Sequence, residues 1–247
     1  MGETRRTALI TGSGRNIGRA SALALAKNGI NIIVNGSSNQ ANCDAVADEV
    51  RALGVDALVA MGNIGNPDDL GAIAAKSFET FGRVDILVNN AAVRPNSPFL
   101  ETGEDEWERI LNIDFHAARR LAKLCLPGMI EAGWGRIINF AGMNAIHGYN
   151  GRAPVSVSKH ASWGLTKSLA KEFGKQGVTT NIISPGPIGP DEAEPEMREH
   201  IESMVGRVPV GRLGKNQEIG AMVALLASDD GAFINGQLLQ VNGGAET

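Results

Sequence analysis

Short apolar runs alternate with helix-type stretches along the whole chain, and this alternation restricts the fold more than any other feature. The runs lie at 7–10, 32–34, 57–61, 86–88, 137–140, 179–183 and 238–241. Helical spacing of apolar residues predicts helices over 17–27, 41–53, 67–81, 104–125 and 155–173. Apolar strands separated by helices are typical of a parallel sheet covered on both faces, with right-handed crossovers. The sequence therefore predicts one doubly wound α/β domain over residues 1–247.

Two of the predicted helices carry start signals, and one loop is unusual. Asn66 precedes Pro67 and two acids, which indicates an N-cap followed by proline at the first helical position. Thr102 and Asp105 resemble a capping box at the start of the next helix. The irregular, acidic piece at 186–206 follows the sixth strand, and we expect it to act as a mobile lid.

Composition and charge argue against several classes of function. Lys plus Arg number 23 and Asp plus Glu number 27, so the net charge of −4 disfavours nucleic acid or an anionic membrane as a partner. The N-terminus lacks the pattern of a signal peptide, and no apolar run is long enough to span a bilayer. Cys43 and Cys125 lack metal-ligand spacing, which predicts buried thiols, no metal site and a cytoplasmic location.

A glycine-rich turn, TGSGRNIG at 11–18, follows the first predicted strand and precedes the first helix. At this place in a doubly wound fold, the backbone of such a turn holds a pyrophosphate against a helix N-terminus. Gly12 and Gly14 match the general G-x-G-x-x-G spacing, whereas Ile17 occupies the third glycine position. A dinucleotide-binding turn is therefore predicted, and a turn that serves packing alone is the alternative.

The end of the second predicted strand bears on the choice between NAD and NADP. An acid at this place would hold the ribose 2′-hydroxyl of NAD and repel a 2′-phosphate, but the residues at 35–38 include no acid. Ser37, Ser38 and Arg15 are suited to a phosphate, so the sequence favours NADP. A solvated surface charge is the alternative for Arg15.

These motifs together resemble the short-chain dehydrogenase/reductase family, and most of all its 3-oxoacyl-carrier-protein reductase-like branch. The matching motifs are the turn at 11–18 with Asn16 in place of a glycine, NNAA at 89–92, PG at 185–186, RLG at 212–214 and VNGG at 241–244. Asn visits left-handed backbone conformations readily, so it is tolerated at that position. The resemblance implies an NAD or NADP cofactor held by Gly12, Ser13, Arg15, Asn16, Ile17, Gly18, Ser37, Asn63, Asn89, Ala91, Lys159, Pro185 and Gly186.

The active site of this family consists of Asn, Ser, Tyr and Lys, and only the Lys is matched here. Val155 stands at the Tyr position, Gly142 at the Ser position and Asp114 at the Asn position, whereas Lys159 agrees. The Thr that usually contacts the nicotinamide in this family is absent, and Pro190 stands near its position. A hydrocarbon cannot exchange a proton, and general acid catalysis is typically worth about 10²–10⁴-fold. The resemblance therefore implies an oxidoreductase in which the usual Tyr-dependent ketone reduction is impaired.

Three residues are candidates to replace the missing proton donor. Tyr149, the single Tyr of the chain, and His147 precede the helix that carries Lys159. Asp114 is expected to face Lys159 and to form a pair with shifted pKa values. A half-buried loop aromatic is the alternative for Tyr149, and a surface residue is the alternative for His147.

Three functions are compatible with the sequence. The first is an NAD(P)-linked oxidoreductase whose proton donor has moved to Tyr149 or His147. The second is a catalytically silent subunit of an active relative, because proteins of this family commonly form tetramers through the two long helices; a homotetramer or a heterotetramer is expected. The third is a lyase or hydratase that uses Asp114, His147 and Lys159 as acid–base groups. The sequence does not identify the substrate.

Overall fold

The computed structural model describes residues 5–142, 147–191 and 203–246. The strands of this part of the chain are β1 Thr7–Ile10, β2 Asn31–Gly36, β3 Ala57–Met61, β4 Ile86–Asn89, β5 Gly135–Phe140, β6 Val178–Pro185 and β7 Leu238–Val241. They form a seven-stranded sheet in the order β3-β2-β1-β4-β5-β6-β7, and all neighbouring strands are parallel. The predicted doubly wound, Rossmann-like α/β fold is therefore confirmed.

Helices connect the strands and cover both faces of the sheet. They are α1 Asn16–Lys27, α2 Gln40–Ala52, α3 Pro67–Phe81, α4 Glu104–Leu111, α5 Ala117–Glu131, α6 Ala153–Phe173 and α7 Asn216–Ala227. A π-helical turn, Asn112–His116, joins α4 to α5, and a 3₁₀ turn, Gly174–Gln176, follows α6. None of the helices in the described part of the chain combines the length and apolarity needed to cross a membrane.

The two predicted helix starts have different outcomes. The side chain of Asn66 accepts hydrogen bonds from the N–H groups of Asp68 and Asp69, so this cap is confirmed. The predicted capping box is wrong: α4 begins after Gly103, and that end has no side-chain cap. The hydroxyl of Thr102 instead donates to the carbonyl of Pro98 at 3.0 Å, because the helix begins too late for this side chain to reach its first turn.

Helix α7 was not predicted from the sequence. It packs against α1, and the two backbones approach closely at Gly220, where a Cβ would lie 2.7 Å from the carbonyl oxygen of Ala20. The helix has apolar residues on most of its surface, so it lacks the clear polar face that marks a surface helix. Its glycine allows the contact that closes this side of the sheet.

The core lies in two layers because successive strand residues point to opposite faces of the sheet. Ala8 and Ile10 of β1 pack in the layer with α1, α2 and α7, whereas Leu9 packs in the layer with α3 and α5. Cys43 is buried in the first layer and Cys125 in the second, so the sheet separates the two free thiols. Burial raises the pKa of the Cys125 thiol to about 12, and this thiol is inert at neutral pH.

The strand order indicates which edge of the sheet is suited to a ligand. β2 and β3 lie on one side of β1, and β4 to β7 lie on the other side. In open parallel sheets the crevice at the carboxyl ends of the strands, at such a reversal of order, is the usual ligand site. The turn after β1, the end of β4 and the end of β5 therefore converge where the sequence predicted a cofactor.

Candidate functional site

The turn between β1 and α1 has the backbone that the glycine-rich motif predicts. Gly12 has φ +62° and Asn16 has φ +49°, so both residues adopt left-handed conformations, as expected for Asn16 from its place in the motif. A Cβ on Gly18 would lie 2.3 Å from the carbonyl oxygen of Gly12. The first turn of α1 can therefore approach the loop this closely only because position 18 is a glycine.

Thr11 and Asn90 fasten this turn to the end of β4. The hydroxyl oxygen of Thr11 accepts the N–H groups of Asn90 and Ala91, each at 3.0 Å. The side-chain amide of Asn90 donates to the carbonyls of Thr11 and Gly12 at 2.9 and 3.0 Å. Asn90 was missed as a site residue, although it lies in the NNAA motif between two residues that were assigned.

Asn35 and Ser13 fasten the turn to β2. The amide of buried Asn35 donates to the carbonyl of Ala60 at 2.9 Å, and its oxygen accepts the N–H of Gly12 at 3.3 Å. Ser13 is fully buried; its hydroxyl donates to the carbonyl of Ile10 at 2.8 Å and accepts the N–H of Asn35 at 3.0 Å. Its own N–H donates to the carbonyl of Asn35. The side chain of Ser13 therefore joins β1 to β2, and its contact with a cofactor stays a prediction. The role of Asn35 in holding the turn was missed.

Four further residues assigned to nucleotide binding have side chains that solvent can reach. Arg15, Ser37 and Asn63 are exposed, and Ile17 is half-buried. The side-chain oxygen of Asn63 accepts the N–H of Gly65 at 3.0 Å, which shapes the loop after β3. Their contact with a cofactor stays a prediction.

A polar chain crosses the ends of β4 and β5. The amide of Asn89 donates to the side-chain oxygen of Asn139 at 2.8 Å, and the amide of Asn139 donates to the hydroxyl of Thr166 on α6 at 2.9 Å. Within the described residues, the buried Oδ1 atom of Asn89 has no hydrogen-bond partner. A small pocket lies here, and its walls include Thr11, Asn89, Asp114, Asn139 and Ser162. It connects the glycine-rich turn with the site around α6.

Lys159 and Asp114 form a buried ion pair beside this pocket. The Nζ atom of Lys159 lies 3.2 Å from Oδ2 of Asp114, and the two side chains are only 6% and 0% exposed. The second oxygen of Asp114 accepts the N–H of Val93 at 2.8 Å, which holds the carboxylate in place. The structure therefore brings together the two charged residues that the sequence expected to face each other.

Burial is the largest influence on the pKa of the Lys159 ammonium group. Burial lowers the pKa of Lys159 below its ordinary value because a low-dielectric environment disfavours the charged form. The Asp114 carboxylate opposes this change in the pKa, and the positive charge of Arg94 adds to it. The net result is a lower pKa, so Lys159 releases its proton more readily than a solvated lysine.

The π-helical turn and α6 position the pair. Asp114 lies in the turn Asn112–His116, which interrupts the regular helix and directs this carboxylate inward. On α6, Val155, Lys159, Ser162 and Thr166 are all buried, and their spacing places them along one helix face. The hydroxyl of Ser162 donates to the carbonyl of Ser158 at 3.0 Å, and this bond holds the Ser162 side chain against the preceding helical turn.

Val155 and Gly142, which the resemblance places at the Tyr and Ser positions of the family, both lack a side-chain proton to exchange. Val155 is 5% exposed and lies one helical turn before Lys159. Gly142 has φ +145°, a conformation that residues with a side chain rarely adopt. The backbone there has therefore adapted to glycine, and a serine would be strained.

Tyr149 and His147 have partners away from the ion pair. The guanidinium of Arg152 lies 4.9 Å from the centre of the Tyr149 ring, and this side chain is 48% exposed. The Nε2 atom of His147 lies 3.0 Å from a carboxylate oxygen of Glu246, and its side chain is 60% exposed. These contacts agree better with the alternatives of a half-buried loop aromatic and a surface histidine than with a donor beside Lys159.

The segment after β6 begins as the PG motif predicts. Pro185 ends the strand, and the N–H of Gly186 donates to the carbonyl of Val241 at 3.0 Å. A Cβ on Gly186 would lie 2.5 Å from the Cα atom of Asn242, so the two motifs pack against each other. Residues 192–202 of the predicted lid lie outside the described residues. Among the described residues, no group of three or more His, Cys, Asp or Glu side chains is placed to hold a metal ion.

Comparisons with known proteins agree on one family. A family model described as enoyl-(acyl carrier protein) reductase matches residues 12–246. The 3-oxoacyl-[acyl-carrier-protein] reductase FabG of Vibrio cholerae is 36% identical over 242 residues, which cover 97% of this chain and 96% of that protein. The enzyme of the same name from Staphylococcus aureus strain Mu50 is 34% identical over 239 residues, 97% of each chain. The 3-oxoacyl-[acyl-carrier-protein] reductase of a Synechocystis species is 33% identical and covers 98% of this chain and 97% of its own.

Proposed function

Because the chain belongs to the short-chain dehydrogenase/reductase family of oxidoreductases, we propose that it is an NAD(P)-dependent oxidoreductase with a non-standard proton donor. The donor is the ammonium of Lys159, held by Asp114. The observation that carries this proposal is the buried ion pair, with 3.2 Å between the two charged groups. Tyr149 and His147 are the alternative donors expected from the sequence.

The residues of the glycine-rich turn fit a dinucleotide. Helix α1 has no acid in its first turn and no side-chain cap of its own, so its N-terminus is suited to an anion. Pro185 and Gly186 border the same crevice, and Lys159 is at the position that holds the nicotinamide ribose in the family. Arg15 and Ser37, both exposed, support a preference for NADP. When bound, the nicotinamide supplies or accepts the hydride.

Lys159 provides the proton that the reduced oxygen needs. Its lowered pKa makes it a stronger acid than a solvated lysine, which suits proton transfer nearer to neutral pH. Asp114 keeps the ammonium in one place, because its other oxygen is bound to the N–H of Val93. Val155, buried one helical turn before Lys159, has no polar group to offer the pair. Without a phenol, we expect turnover that is slower by about 10²–10⁴-fold than with one.

The names of the relatives suggest the first substrate class to test. They are named 3-oxoacyl-[acyl-carrier-protein] reductases. We propose that this chain accepts a carbonyl compound of related chemistry. The test measures binding of NADPH and NADH to the purified protein, and then oxidation of the nicotinamide with a panel that begins with 3-oxoacyl thioesters.

The donor is tested by pH profiles of variants. In Asp114→Asn the shape is kept but the carboxylate is lost, so the pKa of Lys159 falls further. Reduction needs the protonated amine, and the alkaline limb of the kcat profile should move to lower pH. Tyr149→Phe and His147→Ala should leave the profile unchanged. Loss of turnover in either of these, with an unmoved limb in Asp114→Asn, would assign the donor to that residue instead.

A catalytically silent subunit is the second candidate. Buried Val155 and the left-handed backbone of Gly142 favour it, because both remove the ordinary proton chemistry from the site. In this case the chain assembles as a tetramer with an active relative through α4, α5 and α6. Nucleotide binding without turnover, together with co-purification of another chain of this family, would support this candidate over the first.

A further inference from the structure

A carboxylate from the segment after β6 contacts the first turn of α1. The Oδ2 atom of Asp191 accepts the N–H of Asn16 at 2.9 Å, and the N–H of Asp191 donates to the side-chain oxygen of Asn16 at 3.2 Å. The guanidinium of Arg19 lies 3.9 Å from the same carboxylate oxygen. Asp191 thus supplies the anion that α1 does not have in its own first turn.

The other oxygen of Asp191 is held from the opposite side. The amide of Asn216, which is 3% exposed at the start of α7, donates to Oδ1 of Asp191 at 2.9 Å and to the carbonyl of Gly189 at 3.1 Å. The N–H of Gly189 donates to the carbonyl of Gly214, and the N–H of Gly214 donates to the carbonyl of Pro187, both at 2.9 Å. The segment 187–191 is therefore fastened along its length, and both oxygens of the carboxylate have partners.

This contact conflicts with a bound pyrophosphate. The N–H groups at the start of α1 and the positive end of its dipole are the features that attract phosphate in this fold. Asp191 already uses the N–H of Asn16, and its negative charge would repel a second anion at the same helix end. Pro190, which has no N–H or hydroxyl to offer a ligand, precedes it.

We propose that Asp191 is an internal competitor of the cofactor: its carboxylate occupies the phosphate end of α1, and the dinucleotide binds only when the 187–191 segment releases it. The inference depends on the NAD(P) binding proposed above. It makes cofactor affinity a property of this segment as well as of the glycine-rich turn. The favourable interaction between an anion and a helix N-terminus is large enough that removal of the Asp191 carboxylate should lower the Kd for the dinucleotide by about 2- to 30-fold.

The test is a titration of the full chain with NADPH and with NADH, in which isothermal calorimetry measures the Kd. Asp191→Ala removes the carboxylate, and Asp191→Asn removes the charge but keeps the shape. We expect Kd to fall by about 2- to 30-fold in Asp191→Ala and by less in Asp191→Asn, because the amide can still accept the N–H of Asn16. Asp230→Ala is the matched control, since it removes one exposed negative charge elsewhere.

The outcomes separate this inference from the proposed function. Tighter binding in both Asp191 variants but not in Asp230→Ala supports the competitor. If the Kd of the wild-type protein for NADPH is equal to or lower than that of Asp191→Ala, the proposal that Asp191 competes with the cofactor is wrong. The proposed function then stays in place. Failure of every protein to bind either nucleotide, with normal thermal unfolding, overturns both.

Discussion

The glycine-rich turn and the neighbourhood of Lys159 lie at the same edge of the sheet but have diverged to different degrees from the pattern of their family. At the turn, Thr11 and Asn90 form hydrogen bonds with each other, and the side-chain oxygen of Asn35 accepts the N–H of Gly12. Around Lys159, the resemblance places Asp114, Gly142 and Val155 where the family has Asn, Ser and Tyr. In the proposed function, the backbone of a cofactor site is kept while the proton chemistry beside it changes, because the two depend on different residues.

The largest expected effect comes from returning a phenol to α6. In Val155→Tyr a hydroxyl would stand one turn before Lys159, as in the family, and turnover of the best carbonyl substrate should rise by about 10²–10⁴-fold. Steady-state kinetics with NADPH measures the change. Val155→Phe adds the same ring without the hydroxyl and should give no gain. Equal rates for the two variants would mean that the missing phenol does not limit this site.

The ion pair is predicted to matter for folding as well as for chemistry. Lys159→Met leaves the carboxylate of Asp114 buried without its charge partner, so the free energy of unfolding should fall by about 3–5 kcal/mol. Urea denaturation measures this loss. Lys171→Met is the matched control, because Lys171 lies exposed on the same helix and should change stability by less than about 0.5 kcal/mol. If both variants lose the same amount, the pair is not the stabilising contact that its burial suggests.

The glycine-rich turn should be sensitive to added side-chain volume at position 18. In Gly18→Ala the new Cβ would lie 2.3 Å from the carbonyl oxygen of Gly12, and relief of this overlap should cost about 1–3 kcal/mol of stability and weaken NADPH binding. Gly71→Ala on α3, where a Cβ meets nothing within 4 Å, should not destabilise the protein. Thermal unfolding and the Kd for NADPH test both. An unaffected Kd in Gly18→Ala would remove this turn from the cofactor site.

An effect on stability of the same size as that of Gly18→Ala is expected for the hydrogen bonds between the turn and the end of β4. Thr11→Val keeps the shape but removes the hydroxyl that accepts the N–H groups of Asn90 and Ala91, and the free energy of unfolding should fall by about 1–3 kcal/mol. Thr80→Val is the control, because its hydroxyl is exposed on α3 and accepts no such pair. Hydrogen exchange of the two amides should speed up only in Thr11→Val. Unchanged exchange would show that the turn is held by other contacts.

Local patterns predicted two details of the backbone correctly. Asn66 formed the cap that its neighbours indicated, and Asn16 adopted the left-handed backbone expected at a former glycine position. The capping box predicted at Thr102 did not form because Gly103, which has no side chain, is the N-cap residue of α4. Ser13 and Asn35 show the other limit, since their roles come from hydrogen bonds between strands that lie far apart in sequence.

The sequence by itself determined the layered α/β fold and the place of the glycine-rich turn, because strand and helix periodicity and the conformational freedom of glycine are local properties. Only the tertiary structure decided which charges meet. Lys159 and Asp114 come from different helices, and Asp191 contacts Asn16 of α1 across 175 residues of sequence. Their electrostatic effects depend on burial and distance, which arise only when the helices pack on the sheet.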